Sequence, residues 1–305
     1  MVWGTVADRR VTPGEMHGYG GDRERLTASI AAQLGSAREA RWIVEHAGVD
    51  GAQALADRRA GGEPLQYVLG RWPFRSLELQ VDRRVLIPRP ETEQVVEVAM
   101  GELARVTTED GRGVGPGVAV DLGTGSGAIA LSLAVEGMPD GSDRGNRSLV
   151  VWATDASSGA LEVARANLDG LAGADPASAS RVRLALGSWY AALPSSLVGQ
   201  VDLVVSNPPY VAESEYEQLD PVVRNWEPRS ALVAAQGTAG VPGTADIEAV
   251  VGGAPRWLRP CGALVVEIAP AQSRAVVDAA RRAGFSSVDV SRDLAGRLRV
   301  LVARR

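Results

Sequence analysis

Val118-Ala119-Val120-Asp121-Leu122-Gly123-Thr124-Gly125-Ser126-Gly127 is the stretch on which the fold turns. The apolar run reads as a buried strand, and the glycines after it let the backbone turn sharply and pass close to a ligand. From Ala128 to about Val135 an apolar helix follows, and a helix N-terminus carries unpaired N–H groups. Such a loop sits at the C-terminal end of a strand, where open α/β sheets bind ligands. Taken alone it fits a dinucleotide fingerprint or a plain tight turn. Its glycines are spaced G-x-G-x-G, not the G-x-G-x-x-G of many nicotinamide sites.

Downstream, strands and helices alternate. Strands are expected at Leu149–Ala153, Arg181–Ala185, Val201–Val205 and Ala263–Ile268, with helices at Ser158–Leu168 and Ala271–Ala283. Two last strands fall near Ser287–Val290 and Leu298–Val302. This order argues for a doubly wound, mostly parallel sheet with an antiparallel edge. Gly137–Ser148 and Gly170–Ser180 read as loops.

Upstream, Leu26, Ile30, Leu34, Ala40, Ile43, Val44 and Ala47 recur at helical spacing, and a further helix runs from Ala52 to Arg59 until Gly61-Gly62 ends it. Residues 65–90 look extended, with Leu77, Leu79 and Val81 alternating. A helix from near Glu91 turns Val95, Val96, Val98 and Ala99 to a core, and Thr107–Gly117 reads as a linker. The expected organisation is a small helical domain over 1–75 with its first 22 residues loose, a connecting segment over 76–117, and an α/β domain over 118–305.

Composition narrows the classes. With 45% hydrophobic and 23% charged residues the chain can bury an ordinary core. A net charge of −5 gives no broad electrostatic grip on nucleic acid, so direct nucleic-acid binding is not expected. A single cysteine, Cys261, fits a reducing cytoplasm and is expected half-buried in a turn. No secretory signal or membrane span is read, and no metal site. His17 and His46 are read as bystanders.

Two positions sharpen the ligand reading. Asp155 ends the strand Val150-Val151-Trp152-Ala153-Thr154-Asp155, where a carboxylate can accept from two ribose hydroxyls; a helix N-cap is the competing role. Trp189, after the third strand, can flank an adenine or fill the core.

The other ligand stretch is Asn207-Pro208-Pro209-Tyr210, at the end of the strand Val201–Val205. Consecutive prolines fix φ and remove N–H donors, so the loop is a stiff platform offering the Asn207 side-chain oxygen and the Pro208 carbonyl as acceptors. Two acceptors can hold both hydrogens of an NH2 group and aim its nitrogen at a methyl sulfonium. Positioning of this kind supplies up to ~7–11 kcal/mol.

The Asp121–Gly127 loop resembles the S-adenosylmethionine motif of class I methyltransferases, and Asn207–Tyr210 resembles the motif of their amino-methylating subgroup. Gly62-Glu63-Pro64-Leu65-Gln66-Tyr67-Val68-Leu69-Gly70 and Val85-Leu86-Ile87-Pro88-Arg89-Pro90-Glu91-Thr92-Glu93 are similar to segments of the release-factor glutamine methyltransferases (the PrmC or HemK family). So are Glu227-Pro228-Arg229-Ser230-Ala231-Leu232 and Arg292-Asp293-Leu294-Ala295-Gly296-Arg297, and the likeness runs from about residue 35 to the end.

The resemblance implies a Rossmann-like class I methyltransferase with a seven-stranded sheet and a helical N-terminal domain that helps to recognise the partner. It implies the cofactor S-adenosyl-L-methionine, contacted by Gly123, Thr124, Gly125, Ser126, Gly127, Asp155, Trp189 and Asn207. It implies as substrate the glutamine of the Gly-Gly-Gln motif in class I peptide chain release factors, held by Asn207, Pro208, Pro209 and Tyr210. Asn207, Pro208 and Tyr210 are the expected catalytic residues, and Arg89–Glu93 shape the pocket wall. Departures are Ser188 where the family often has Asp, and Val233–Gly240 where it has an acidic-Gly-Leu-acidic segment. A paralogous amino-methyltransferase acting on another protein or on nucleic acid, a nicotinamide-dependent oxidoreductase and a cofactor-binding scaffold are the rival readings; the oxidoreductase leaves Asn207–Tyr210 without a role.

Overall fold

In the computed structural model, residues 13–109, 117–137, 149–238 and 240–305 are described. Contacts divide the chain into one unit up to Leu69 and another from Gly70 to Arg305.

The first unit is helical. Helices α1 (Pro13–Leu34), α2 (Ala37–Ala60) and α3 (Leu65–Leu69) bury Ile30, Ala40, Ile43, Val44, Ala52, Ala56 and Leu65 in one cluster. Ser36 caps α2 by accepting from the Glu39 N–H, and Gly48, at φ +67°, kinks it between the two helical stretches of the sequence pattern. An ion pair between Arg58 and Glu63 at 2.5 Å fastens the turn into α3. That short helix stands where the sequence reads as extended, because a single turn is too short for periodicity to reveal. Of the first 22 residues expected to be loose, 1–12 lie outside the described residues and the others begin α1.

The second unit opens with the hairpin β1 (Arg71–Phe74) and β2 (Leu77–Gln80), antiparallel and in register Phe74↔Leu77. Arg75 at its turn donates to Glu136 at 2.7 Å and to the Glu93 carbonyl at 3.0 Å. Helix α4 (Pro90–Glu109) then buries Val95, Val96, Ala99 and Leu103, with Val98 at the edge of the stripe. Most of the linker read at 107–117 lies outside the described residues, as does nearly all of the loop read at 137–148.

Seven strands form the central sheet: β3 (Gly117–Leu122), β4 (Leu149–Asp155), β5 (Val182–Leu186), β6 (Val201–Ser206), β9 (Leu258–Glu267), β10 (Ser287–Arg292) and β11 (Leu298–Arg304). Between β6 and β9, a two-residue pair β7 (Val211–Ala212) and β8 (Val233–Ala234) makes a small sheet of its own. The large sheet runs β10-β11-β9-β6-β3-β4-β5, parallel from β9 to β5 and antiparallel at β9-β11-β10. Alternate residues feed opposite faces. Ala119, Leu203, Val205, Val265 and Val302 join α4 and α5 (Ala128–Glu136) on one side. Val120, Leu122, Val204, Leu264, Val266 and Leu301 join α10 (Ala245–Trp257) and α11 (Ser273–Arg282) on the other. Each fully buried aliphatic side chain contributes ~1.5–3 kcal/mol, so both faces of the sheet hold the helices down.

Other parts of the structure also differ from the sequence reading. Helix α6 (Ser158–Ala174) continues six residues beyond Leu168, and α7 (Pro176–Ala179) follows after Asp175, so most of Gly170–Ser180 is helical. Leu171 packs on the core and offsets the glycines' low helix propensity. Helix α10 was not expected; Ile247, Val250, Val251 and Ala254 form its buried stripe. Cys261 is exposed, at φ +65° in a bulge where β9 slips register against β6. The short helices α8 (Glu213–Tyr216) and α9 (Pro221–Trp226) complete the fold.

Candidate active site

From β3 the chain winds outward through β4 to β5, then returns to lay β6 on the other side of β3. Leu122 pairs with Ser206 in register, so the loops after β3 and β6 leave the sheet side by side at this switch point. The Ser206 hydroxyl donates to the Leu122 carbonyl at 2.7 Å and joins the two strand ends.

A cavity of about 400 Å³ opens there. Gly123, Thr124, Gly125, Ser126, Asp155, Trp189, Asn207 and Pro209 line it, together with Arg84, Val85, Leu86, Pro88, Arg89 and Thr92. Eight of the expected site residues therefore meet at one cavity. Gly127, Pro208 and Tyr210 do not line it: Gly127 caps α5, Pro208 is buried, and Tyr210 packs partly against the core.

The glycine-rich loop is fixed from below. Gly123 and Thr124 N–H groups both donate to the Thr154 carbonyl at 2.9 Å. The Thr124 hydroxyl donates to Asp121 Oδ2 at 2.6 Å, and Asn167 on α6 donates to the carbonyls of Ser126 and Gln80. Gly123 has φ +73°, a conformation that favours glycine, and a Cβ there would touch the Trp189 ring at 3.4 Å. Asp155 accepts from the Gly125 N–H at 2.9 Å and the Ser157 N–H at 2.8 Å, one bond on each oxygen. Ser157, not Asp155, caps α6, and each Asp155 oxygen keeps a lone pair for a ligand hydroxyl. Trp189 both lines the cavity and packs on the core, so its two readings are compatible.

At the end of β3, Asp121 is fully buried and its Oδ1 makes no hydrogen bond among the described residues. Burial pushes its carboxyl up to about 7 against the bonds from Thr124 and Ala130, with the Asp155 charge adding to the rise. Asp121 does not itself line the cavity; its bonds from Thr124 and Ala130 tie the glycine-rich loop and the start of α5 to the end of β3.

Opposite, the Asn207–Tyr210 loop is held by Thr92, within the expected wall segment Arg89–Glu93, and by Glu267 and Gln272, which the sequence reading did not single out. Asn207 Nδ2 donates to Thr92 Oγ1 at 3.2 Å, and Thr92 donates to Glu267 Oε2 at 2.7 Å. Tyr210 donates to the other Glu267 oxygen at 3.3 Å, while Gln272 Nε2 donates to the Tyr210 carbonyl at 2.8 Å. Glu267 ends β9 at 1% exposure; burial raises its pKa, and Thr92, Arg299 and Tyr210 oppose the rise. Burial and the Glu267 charge likewise raise the Tyr210 phenol, which stays protonated and cannot serve as a base. The wall segment is pinned in turn by Glu227, 5% exposed, which accepts from the Ile87 N–H at 3.1 Å and from Arg89 at 2.5 Å. Glu227 and Arg89 both belong to the proline-containing motifs, which mark the two residues but not their pairing. Among the described residues, no group of three metal-ligating side chains stands together.

A ligand crevice at the ends of β3 and β4, in a seven-stranded sheet of this order with its last strand inserted antiparallel, is the architecture of a class I methyltransferase. Among curated proteins, the release factor glutamine methyltransferase of Cereibacter sphaeroides is 36% identical over 94% of this chain and 87% of its own. That of Bifidobacterium longum is 38% identical over 91% and 90%, and that of Salmonella typhimurium 39% identical over 83% and 80%. The chain belongs to the family of release factor glutamine methyltransferases. The first of these likenesses, covering 94% of the chain, must begin well before residue 35. A methyltransferase from Pyrococcus furiosus superposes with TM-score 0.49 at 17% identity, covering 75% of this chain and 89% of that one. No protein-family model matches the sequence.

Proposed function

We propose that this enzyme transfers a methyl group from S-adenosyl-L-methionine to the side-chain amide nitrogen of the glutamine in the Gly-Gly-Gln motif of class I peptide chain release factors. The observation that carries this reading is the orientation of Asn207. Its NH2 group is committed to Thr92, which leaves Oδ1 as an acceptor on the wall of the cavity that the glycine-rich loop floors.

The cofactor, when bound, supplies an electrophilic methyl on a sulfonium. Gly123–Ser126 and Asp155 would hold it, with Gly127 turning the chain into α5, Asp155 taking ribose hydroxyls and Trp189 flanking the adenine. The remaining chemistry belongs to the chain. An amide nitrogen is a weak nucleophile because its lone pair is delocalised, so the site must aim it and accept the charge that grows on it. Asn207 Oδ1 and the Pro208 carbonyl accept the two amide hydrogens, and Pro209 and Tyr210 stiffen and flank the pair. Preorganised acceptors of this kind cost no reorganisation at the moment of reaction. A neutral Tyr210 agrees with catalysis by orientation and not by a strong base.

We assign partner recognition to the helical unit, since the cavity lining lies within residues 84–246. The modest net charge of −5 supports a protein partner over direct nucleic-acid binding. No helix among the described residues is long and apolar enough to cross a membrane, in keeping with a cytoplasmic site of action.

Methyl transfer from labelled cofactor to a purified class I release factor, beside a Gly-Gly-Gln→Gly-Gly-Ala version, tests the proposal. Label on the first alone supports it. Equal label on both, or none on either while cofactor still binds, overturns it.

A further inference from the structure

Thr92, Glu267 and Tyr210 lie on α4, at the end of β9 and after β6, far apart in the chain, yet they form one hydrogen-bonded group around Asn207. Counting the hydrogens in that group fixes a direction. With Glu267 ionised, the form that Arg299 and the Thr92 and Tyr210 hydroxyls favour against its burial, the carboxylate only accepts. Glu267 Oε2 lies 2.7 Å from Thr92 Oγ1, and Oε1 lies 3.3 Å from the Tyr210 hydroxyl. Thr92 has a single hydroxyl hydrogen, and Glu267 takes it. What Thr92 then turns to Asn207, at 3.2 Å, is lone pairs alone. Only the NH2 end of the Asn207 amide can meet them.

The two ends of an asparagine amide are nearly equal in shape and opposite in hydrogen-bonding sense. A half-turn about the last side-chain torsion would present two N–H donors to the cavity in place of an oxygen. A substrate NH2 group has only donors to offer that wall, so the turned amide would repel it. The identity of the atom that faces the substrate is therefore set outside the cavity, at the end of β9.

We infer that Thr92 and Glu267 are positioning residues: the pair forms a one-way hydrogen-bond relay that locks the Asn207 side chain with its oxygen towards the substrate nitrogen. Glu267 also holds Tyr210, so a single buried carboxylate sets both ends of the Asn207–Tyr210 loop. This inference rests on the reading of Asn207 as the acceptor of a substrate amide.

Thr92→Val keeps the volume and removes the lone pairs. The competent amide orientation then leaves a donor against a methyl group, which lowers kcat by about tenfold or more. The KM for S-adenosylmethionine stays within about twofold, since the glycine-rich loop and Asp155 are untouched. Thr92→Ser restores the hydroxyl and recovers most of the lost kcat; a role in packing alone would not be rescued by the smaller side chain. A Thr92→Val enzyme that turns over like the wild type, or a Thr92→Ser enzyme no better than Thr92→Val, overturns the relay.

A neutron structure of the deuterium-exchanged wild-type protein decides the matter without any substrate. Deuterons on Asn207 Nδ2 facing Thr92, and on Thr92 Oγ1 facing Glu267, support the relay. Asn207 Oδ1 facing Thr92 refutes it. Should the wild type transfer no methyl to a release factor, the proposed function fails while the deuteron positions still judge the relay.

Discussion

Asn207→Ala separates binding from chemistry. The substitution removes Oδ1 from the cavity wall and the donor that meets Thr92 at 3.2 Å. Thr92 keeps its stronger bond to Glu267 at 2.7 Å, so no buried donor is orphaned and the fold loses only about 0.5–1.5 kcal/mol. In the proposed reading, cofactor affinity rests mainly on Gly123–Ser126, Asp155 and Trp189, which line the cavity. Loss of one neutral contact of about 1 kcal/mol changes its Kd by roughly fivefold at most. Turnover is hit harder. A substrate N–H left without an acceptor costs about 1–3 kcal/mol, and removal of one preorganised polar group from an active site costs on the order of 10²–10³ in kcat. We therefore expect a folded protein that binds cofactor and has lost on the order of 10²-fold in single-turnover methyl transfer. Calorimetry with the cofactor, thermal unfolding and a single-turnover assay measure the three quantities on one preparation. A well-folded variant with kcat within about twofold of the wild type would refute the reasoning, because the acceptor would then be dispensable.

Three further outcomes follow from the geometry. Gly127→Val places a branched side chain at φ +87°, where even a Cβ meets Leu131 at 3.2 Å; it should lower the melting temperature and weaken cofactor binding, with about 1–3 kcal/mol of backbone strain. Glu227→Ala strands the Ile87 N–H and the Arg89 guanidinium and should cost about 2–4 kcal/mol in denaturant unfolding, while an unchanged midpoint would show that the wall does not need this anchor. Burial raises the Asp121 carboxyl in the folded state to about 7 from the ordinary aspartate value of 3.8, so the folded protein holds this proton more tightly than the unfolded chain. Its contribution to stability is complete below the unfolded value, declines as pH rises between the two, and levels off above the folded one. Asp121→Asn should flatten that part of the stability profile of the cofactor-free protein; an unaltered slope would count against the raised pKa.

The parts of the fold that could be read from the sequence are those written in local pattern. Val118–Leu122 with its glycines, and Val201–Val205 with Asn207–Tyr210, announce a strand, its end and a ligand loop within a dozen residues each. Helix α10 was missed although Ile247, Val250, Val251 and Ala254 have helical spacing, because Gly252, Gly253 and Pro255 lie among them and break the propensity signal. In Gly170–Ser180 the glycines suggested a loop, and the packing of Leu171 overruled them. The relay was beyond local reading altogether. Thr92 and Glu267 are 175 residues apart, and neither has a neighbour in sequence that hints at the other. A carboxylate inside the otherwise apolar run Ala263–Ile268 was the one available sign, since a buried acid at a strand end needs partners.

The most direct test of the central claim is tandem mass spectrometry of the Gly-Gly-Gln peptide from a class I release factor incubated with this enzyme and S-adenosylmethionine. The account predicts one added methyl on the glutamine side chain, absent without enzyme and lost with Asn207→Ala. A methyl group on any other residue, or an unmodified glutamine after prolonged incubation with cofactor-binding enzyme, would contradict it.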